Sequence, residues 1–317
     1  MADGARPLVT IGVCTYNRAD GYFVDALRSA VAQRYPNLEI VVSDNGSTDH
    51  TEEVVESFGD PRIRYVKREQ NIGPVNNFNA CLDDARGEYF LLLHDDDVLD
   101  SDFVEACMVA VEDDSDVGVI RTGTRIIDAE GRTLAERLND VVGLSTSEFF
   151  RGWFAGRTPI YVCSTLHNTR RLRELGGFTS PRNLFPDTLV AVRLAALYGR
   201  ADVKEPKASF RRHGQNTGSA ARVEDWCEDS SHLLEVMEEL VPEDAEMIRR
   251  EGRAFLSRKN YRQASSIESP VQRARTYWRI YRRFGFSYSP LSYLWPRMVR
   301  RPIKRLGRRA RSTLGFT

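Results

Sequence analysis

The 317-residue sequence predicts an α/β protein in which a mostly parallel, twisted sheet is flanked by helices and followed by a helical C-terminal extension. Three observations predict it. Between residues 8 and about 122, short β-rich apolar runs alternate with amphipathic segments, as βαβ units require. Those runs end in polar clusters, which brings reactive side chains to one edge of a parallel sheet. Beyond Gly218 the apolar residues recur at helical spacing instead.

Taken in order, residues 9–14 form the first strand, and a helix near 22–33 returns the chain to a second strand over 38–43. A helix near 50–58 follows, which Asp49 or Thr51 can cap. The third strand covers 63–66. In the next helix, about 74–85, Pro74 suits the first turn, where its missing N–H would have had no partner. Residues 89–93 form the fourth strand, Ser101 can cap a helix near 101–112, and 117–121 form the fifth strand. Residues 123–215 are less regular, with a strand over 161–166, a Gly176-Gly177 turn and a helix over 187–198. Trp226, Leu233, Met237 and Leu240 mark a long helix; Pro242-Glu243-Asp244 starts another with acids at its positive end, and Ser269-Pro270 begins a last one. The chain thus divides into a catalytic unit over 1–218 and a helical extension with a basic aromatic tail over 219–317.

Hydrophobic residues make up 41% of the chain and charged residues 28%, which excludes a disordered or fibrous protein. Net charge is zero but segregated: residues 271–317 hold 13 Lys or Arg and no acid, so the rest carries 32 basic against 45 acidic side chains. A basic end suits an anionic partner. Its interleaved aromatics, including Trp278, Tyr281, Phe284, Phe286 and Trp295, suit a membrane surface. The five cysteines contain no Cys-x-x-Cys pair, so neither a disulfide framework nor a zinc site is indicated. No apolar run approaches the roughly 20 residues that cross a bilayer, and residues 1–7 lack the marks of a secretion signal. The expected location is cytoplasmic, with peripheral attachment at the inner face of the cell membrane.

The predicted strand ends carry Thr15-Tyr16-Asn17, Asp44-Asn45-Gly46 and His94-Asp95-Asp96-Asp97. Adjacent carboxylates repel one another, and a divalent cation together with a diphosphate relieves that repulsion. Hard oxygen ligands point to Mn2+ or Mg2+. An isolated acidic triplet is as often a solvated loop, but three polar clusters at equivalent positions make a site.

Val9-Thr10-Ile11-Gly12-Val13-Cys14-Thr15-Tyr16-Asn17-Arg18, Val41-Val42-Ser43-Asp44-Asn45-Gly46-Ser47-Thr48-Asp49, Asn71-Ile72-Gly73 followed by Asn79, and Gly87-Glu88-Tyr89 before the acidic cluster make a specific combination. Over roughly residues 8–215 the chain resembles the inverting family 2 glycosyltransferases of the GT-A fold. The resemblance implies transfer of a sugar, with inversion and a divalent metal, from a nucleoside-diphosphate sugar to a hydroxyl of a glycan or lipid-linked acceptor in cell-surface polysaccharide or glycoconjugate synthesis. By position, it implies that Thr15, Tyr16 and Asn17 hold the base, with Tyr16 able to stack on it. Asp44 would accept hydrogen bonds from base or ribose, and Asn71 and Asn79 would belong to the donor site.

The family usually carries Asp-x-Asp at the fourth strand end, whereas here His94 stands at the first acidic position. Two registers are therefore open. In one, Asp95 contacts ribose and Asp96 is the main metal ligand, with Asp97 as a third member; in the other, Asp95 and Asp97 form the pair. The first is preferred. The segment from Phe210 to Thr217 resembles the family's closure over the diphosphate, which implies His213 as a further metal ligand and Arg211 and Arg212 as partners of the leaving group. Gly176-Gly177-Phe178 followed by Phe185-Pro186-Asp187 resembles the approach to the catalytic base. Pro186 replaces the first acid of the usual pair, leaving Asp187 as the base, although an aspartate there also suits a helix start.

Rival functions meet specific obstacles. A sugar nucleotidyltransferase needs a glycine-rich basic loop for a triphosphate, which the turn over residues 15–21 lacks, and neither a P-loop nor Gly-x-Gly-x-x-Gly occurs. No nucleic-acid recognition fold is visible, so no nucleic acid is expected. The departures at His94 and Pro186, with the basic tail, keep a catalytically inactive lipid-associated scaffold as an alternative beside the sugar nucleotidyltransferase. Trp153 and Phe154 can line an acceptor groove or pack in the core.

Overall fold

The computed structural model describes residues 6–111, 116–213 and 221–295. Strand β1 (Val9–Thr15) is buried along its whole length and pairs in parallel on both edges, with β2 (Leu38–Asp44) and β4 (Tyr89–His94). β3 (Ile63–Lys67) extends the parallel set beyond β2. Helices α1 (Tyr22–Val31), α2 (Thr51–Glu56) and α3 (Pro74–Asp84) make the crossovers. A parallel sheet covered on both faces requires apolar side chains on both. Val9, Ile11, Val13, Ile40, Val42, Leu91 and Leu93 accordingly pack with α1 and α4 (Phe103–Val109), while Val41, Phe90 and Leu92 enter a second cluster on the opposite face.

The second half of the sheet mixes directions. β8 (Thr165–Asn168) runs antiparallel to β4 and to β6 (Val119–Ile127), and β9 (Arg200–Arg211) runs parallel to β6. Two short strands, β5 (Val98–Leu99) and β7 (Thr133–Arg137), pair antiparallel with β9 and β6. Helices α5 (Thr146–Ala155), α6 (Thr169–Glu174) and α7 (Pro186–Tyr198) complete this half.

The parallel strands and their helices lie where the sequence pattern puts them, and the departures have local causes. Residues expected as a strand over 161–166 begin with a 3-10 turn at Val162–Ser164 before β8. Ser101 does not cap α4, which starts after Asp102, whereas Asp49 accepts the Thr51 N–H at 3.2 Å at the start of α2. β5, β7, β9, α5 and α6 are additions to the expected set.

Beyond the sheet, α8 (Val223–Leu240), α9 (Ala245–Ala264) and α10 (Pro270–Arg283) pack into the same hydrophobic cluster as α5 and α7, through Leu234, Met237, Leu256 and Tyr261. In α10, Tyr277 and Ile280 are buried, as is Phe284 just beyond it, so Ile280 and Phe284 serve the core and not an interface; Val271 and Trp278 point outward. The expected boundary at 218/219 falls at the undescribed segment 214–220, and the arginine-rich end from 296 onward also lies outside the described residues.

One buried ionic group ties β6 to β9. Arg121 is wholly buried and its Nη1 lies 4.0 Å from Asp202 Oδ1, while Asp202 accepts from Arg200 Nε and from Asn139 Nδ2, each at 2.8 Å. Both guanidinium groups lie over the Phe149 ring, at 4.5 and 4.9 Å. Burial lowers the Arg121 pKa to about 10. Removing the shared carboxylate would leave two buried cations uncompensated. Asp202→Ala is therefore expected to reduce unfolding free energy by about 3–5 kcal/mol, read by urea denaturation; a loss below ~1 kcal/mol would show the group to be dispensable.

Candidate functional site

Strand register assembles the site. Thr15 pairs with Asp44 across β1 and β2, and Cys14 pairs with His94 across β1 and β4, so the three polar clusters emerge at one level of the sheet edge. Thr15 Oγ1 donates to Asp95 Oδ2 at 2.9 Å, joining two of them. Tyr16, 41% exposed, and Asn17 stand open at the mouth, whereas Thr15 is buried. Asn17 adopts a φ of +50°, a conformation asparagine tolerates better than most residues. Its backbone N–H donates to Ser47 Oγ at 2.9 Å and its side-chain oxygen accepts the Thr48 N–H at 2.8 Å.

Asp44 is fully buried. Its Oδ1 accepts from the Ser47 N–H and hydroxyl at 2.8 and 2.6 Å, and its Oδ2 accepts from the Tyr65 hydroxyl. Gly46 turns the chain at a φ of +79°, where a Cβ would meet the Gln70 backbone at 2.9 Å. This closeness lets Asn71 reach the turn: its Oδ1 accepts from Asn45 Nδ2 at 3.0 Å and from the Gly73 N–H at 2.8 Å. Asn79 faces elsewhere. Its amide donates to Phe178 O at 2.9 Å and accepts from Phe178 N at 2.7 Å, fastening α3 to the Gly176-Gly177-Phe178 turn.

The acidic loop is strongly constrained. Asp97 is wholly buried; Oδ1 accepts the Arg211 N–H at 2.9 Å, and Oδ2 meets no N–H or O–H donor, with the Cys163 thiol as neighbour. Burial, and then the charge of Asp96, hold the Asp97 carboxyl well above the usual range; the same two causes raise Asp95, against the Thr15 hydrogen bond. Asp96 Oδ2 lies 2.8 Å from His213 Nε2, bringing together two expected metal ligands. His94 Nε2 is buried without a partner, and His94, Asp96 and Asp97 offer ligand atoms within 4.8 Å of one another. His94 was visible in the sequence only as a missing acid; its imidazole is itself a donor for a cation.

Arg211 does not face open space. Its Nε donates to Asp96 O at 2.9 Å and its Nη1 to Ala129 O at 3.3 Å; Nη2 lies 3.4 Å from Asp25 Oδ2 and the guanidinium is 4.5 Å from the Tyr22 ring centroid. These contacts make it a latch between β9 and the acidic loop, whereas the neighbouring Arg212 is exposed. The adjoining residues 214–217 of the expected closing segment lie outside the described residues.

Asp187 sits in the first turn of α7, after Pro186, and burial raises its pKa against the opposing effects of the Thr188 N–H, His94 and Lys259. Lys259, on α9, is a contributor that sequence reasoning missed, because a single lysine in a polar helix carries no motif. Its ammonium lies 4.8 Å from the Phe185 ring and 5.2 Å from the buried Trp153 ring, and burial lowers its pKa to about 8. Trp153 and Phe154, read as either groove or core, are buried in the hydrophobic cluster.

Residues 10–181 match the model of glycosyl transferase family 2. The chain is 34% identical over 125 residues to an uncharacterized glycosyltransferase of Haemophilus influenzae, a match spanning 38% of each chain. It is 33% identical over 136 residues to an Escherichia coli chondroitin synthase, covering 42% of this chain and 19% of the synthase. Against the succinoglycan biosynthesis protein ExoO of Rhizobium meliloti, identity is 30% over 229 residues, covering 68% of this chain and 63% of ExoO. The chain thus spans less than two thirds of these relatives. Among solved structures it resembles Staphylococcus aureus TarS 1-349 in complex with UDP-GlcNAc, with a TM-score of 0.63, 17% identity and coverage of 87% and 80%. The mannosyltransferase PcManGT of Pyrobaculum calidifontis, in complex with GDP-Man and Mn2+, gives 0.55 and 20%, with coverage of 92% and 88%. The shared architecture is the GT-A fold, a curled mixed sheet with flanking helices.

Proposed function

The chain belongs to glycosyl transferase family 2, and from that premise we propose that it moves a sugar, with inversion, from a nucleoside-diphosphate sugar to a hydroxyl of a glycan or lipid-linked acceptor. The observation that carries this reading is the common level of Thr15, Asp44 and His94 at the sheet edge, with Asp96 facing His213 beyond it. Relatives named for succinoglycan biosynthesis and chondroitin synthesis support a role in cell-surface polysaccharide or glycoconjugate synthesis.

In this reading Tyr16 stacks on the base, Thr15 and Asn17 shape its pocket, the buried Asp44 acts through the Ser47 turn and Tyr65 that it holds, Asp95 receives base or ribose, and Arg212 meets the diphosphate. Asn71, Asn79 and Arg211 act through the main chain they hold. Asp96, Asp97 and His213, with His94, would hold Mn2+ or Mg2+, whose charge offsets the diphosphate; the orphaned atoms of His94 and Asp97 fit such an ion. Asp187 takes the proton from the acceptor hydroxyl as its oxygen bonds to the anomeric carbon and the bond to the diphosphate breaks on the opposite face.

A peripheral membrane location is also proposed. Val271, Trp278, Phe286, Leu291 and Trp295 are exposed on one C-terminal region that also carries arginines, a combination suited to a lipid headgroup layer. Among the described residues no helix is long and apolar enough to cross a membrane.

Asp187→Asn is expected to retain nucleotide and metal binding while lowering transfer by at least ~100-fold. Because a base works deprotonated and the Asp187 pKa is raised, wild-type kcat/KM should fall with decreasing pH at a limb above the ordinary aspartate range. Near-normal turnover of the variant would sink the assignment. Asp96→Ala should abolish the Mn2+-dependent part of nucleotide-sugar binding in calorimetry, and unchanged metal dependence would count against the ligand set. Sedimentation with phosphatidylserine vesicles tests the membrane surface: Trp278→Ser with Trp295→Ser should weaken binding, and equal binding would remove these residues from the contact.

A further inference from the structure

Between the Gly176-Gly177 turn and α7 the chain runs without a helix or strand, and it ends at the proposed base. Such a segment has no ladder of its own to receive its N–H groups. One side chain from the C-terminal helices receives them instead. Asp229, on α8, is 1% exposed. Its Oδ1 accepts the Arg182 N–H at 2.7 Å, and its Oδ2 accepts the Leu184 N–H at 2.7 Å, the Phe185 N–H at 3.2 Å and the Ser180 hydroxyl at 2.6 Å. Asn183 lies inside this turn at a φ of +56°, its N–H donating to Ser180 O at 3.1 Å. The loop is wound around one carboxylate.

Asp229 is itself held in place. Next to it, the buried Ser230 accepts at Oγ from Nδ2 of the buried Asn260, on α9, at 2.9 Å, and Trp226, one turn earlier, meets the Phe185 ring edge-on at 5.2 Å. A buried carboxylate stripped of its donors costs far more than an exposed one, so departure of the loop is opposed by the charge it would strand. Phe185 precedes Pro186, whose ring fixes its own φ, and Asp187 follows. With an N–H pinned at Phe185 and a dihedral fixed at Pro186, the chain has little freedom in how it enters α7. We infer that Asp229 is a positioning residue for the transfer step: through the main chain of residues 182–185 it fixes where α7 begins and so holds the Asp187 carboxylate at the acceptor hydroxyl. This role rests on the reading of Asp187 as base, whereas the grip on the loop does not. A reacting group displaced by about 1 Å loses rate on the order of 100-fold, so a contact two residues before the base matters more to turnover than to donor binding. The C-terminal helices are in this way part of the catalytic apparatus.

The test compares wild type, Asp229→Asn and Ser180→Ala as full chains. Asparagine keeps the size of the side chain but turns one acceptor into a donor that faces an N–H or O–H. In hydrogen exchange, the Arg182, Leu184 and Phe185 amides should be protected in the wild type, and at least one should exchange about tenfold faster or more in Asp229→Asn. Calorimetry with UDP and with GDP, each with Mn2+, counts competent sites, and the affinity should stay within about twofold. Release of nucleoside diphosphate from a panel of UDP- and GDP-linked sugars should then show kcat per competent site lowered about tenfold or more at an unchanged donor KM. The acid limb of kcat/KM should move to lower pH, because a loosened start of α7 lets water reach Asp187, where burial is the first cause of the raised pKa and His94 and Lys259 are the charged groups that oppose it. A role in folding alone would move neither kcat per site nor that limb. Ser180→Ala, which removes one donor to Oδ2, should act in the same direction by a few-fold, and it keeps the inference falsifiable if the asparagine variant does not fold. Unchanged kcat per site with the amides exposed would overturn the inference, as would unchanged protection, or nucleotide affinity lost in step with turnover. No release by the wild type, or normal release by Asp187→Asn, would defeat the transferase reading or its base and the positioning role with it, while exchange would still decide the grip on the loop.

Discussion

The parallel pairing of β1 with both β2 and β4 is the constraint on which the rest of the molecule depends. Thr15 stands opposite Asp44 and Cys14 opposite His94 because the apolar residues preceding them must alternate correctly between two buried faces. Slipping either pairing by one residue would turn each core side chain to the wrong face. Polar chemistry at the sheet edge is therefore positioned by hydrophobic packing several residues away.

That edge then creates an electrostatic problem which the second half of the chain answers. Asp95, Asp96 and Asp97 follow one another in a largely buried loop, where their mutual repulsion is weakly screened. Arg211 reaches back from the end of β9 to Asp97 through its N–H and to the Asp96 carbonyl through its side chain. The same residue stacks on Tyr22, whose ring also meets His213 at 5.1 Å. Closing the sheet thus brings the last ligand candidate to the acidic loop; the parallel half and the mixed half make one site only when both are folded.

The sequence revealed the parallel half because strands buried on both faces are apolar throughout and their helices carry ordinary end signals. It concealed the mixed half for equally physical reasons. β7 is a mostly exposed edge strand with little apolar content, β5 has only two residues, and β9 is a long strand interrupted by charges and Pro206. α5 had a readable signal, the reciprocal Ser145–Glu148 capping box, which the pattern of strands overshadowed. Motif residues were legible as types, but not their partners. Nothing in the string of letters distinguishes Arg211, turned inward, from Arg212, turned outward, or marks Lys259 as a neighbour of Asp187.

The two hydrogen bonds between the Asn79 side-chain amide and the Phe178 main chain have a consequence for descent. They grip only main-chain atoms of the Gly-Gly-Phe turn, and Gly177, at a φ of +72°, leaves no room for a Cβ against Asn79. The take-off point of everything downstream is consequently held without reference to what the downstream residues are. Mutations can accumulate in the segment leading to Asp187 and in the C-terminal helices while β1, β2 and β4 keep their register. Under the proposed function, a lineage can in this way exchange one recipient for another while inheriting an unaltered first half.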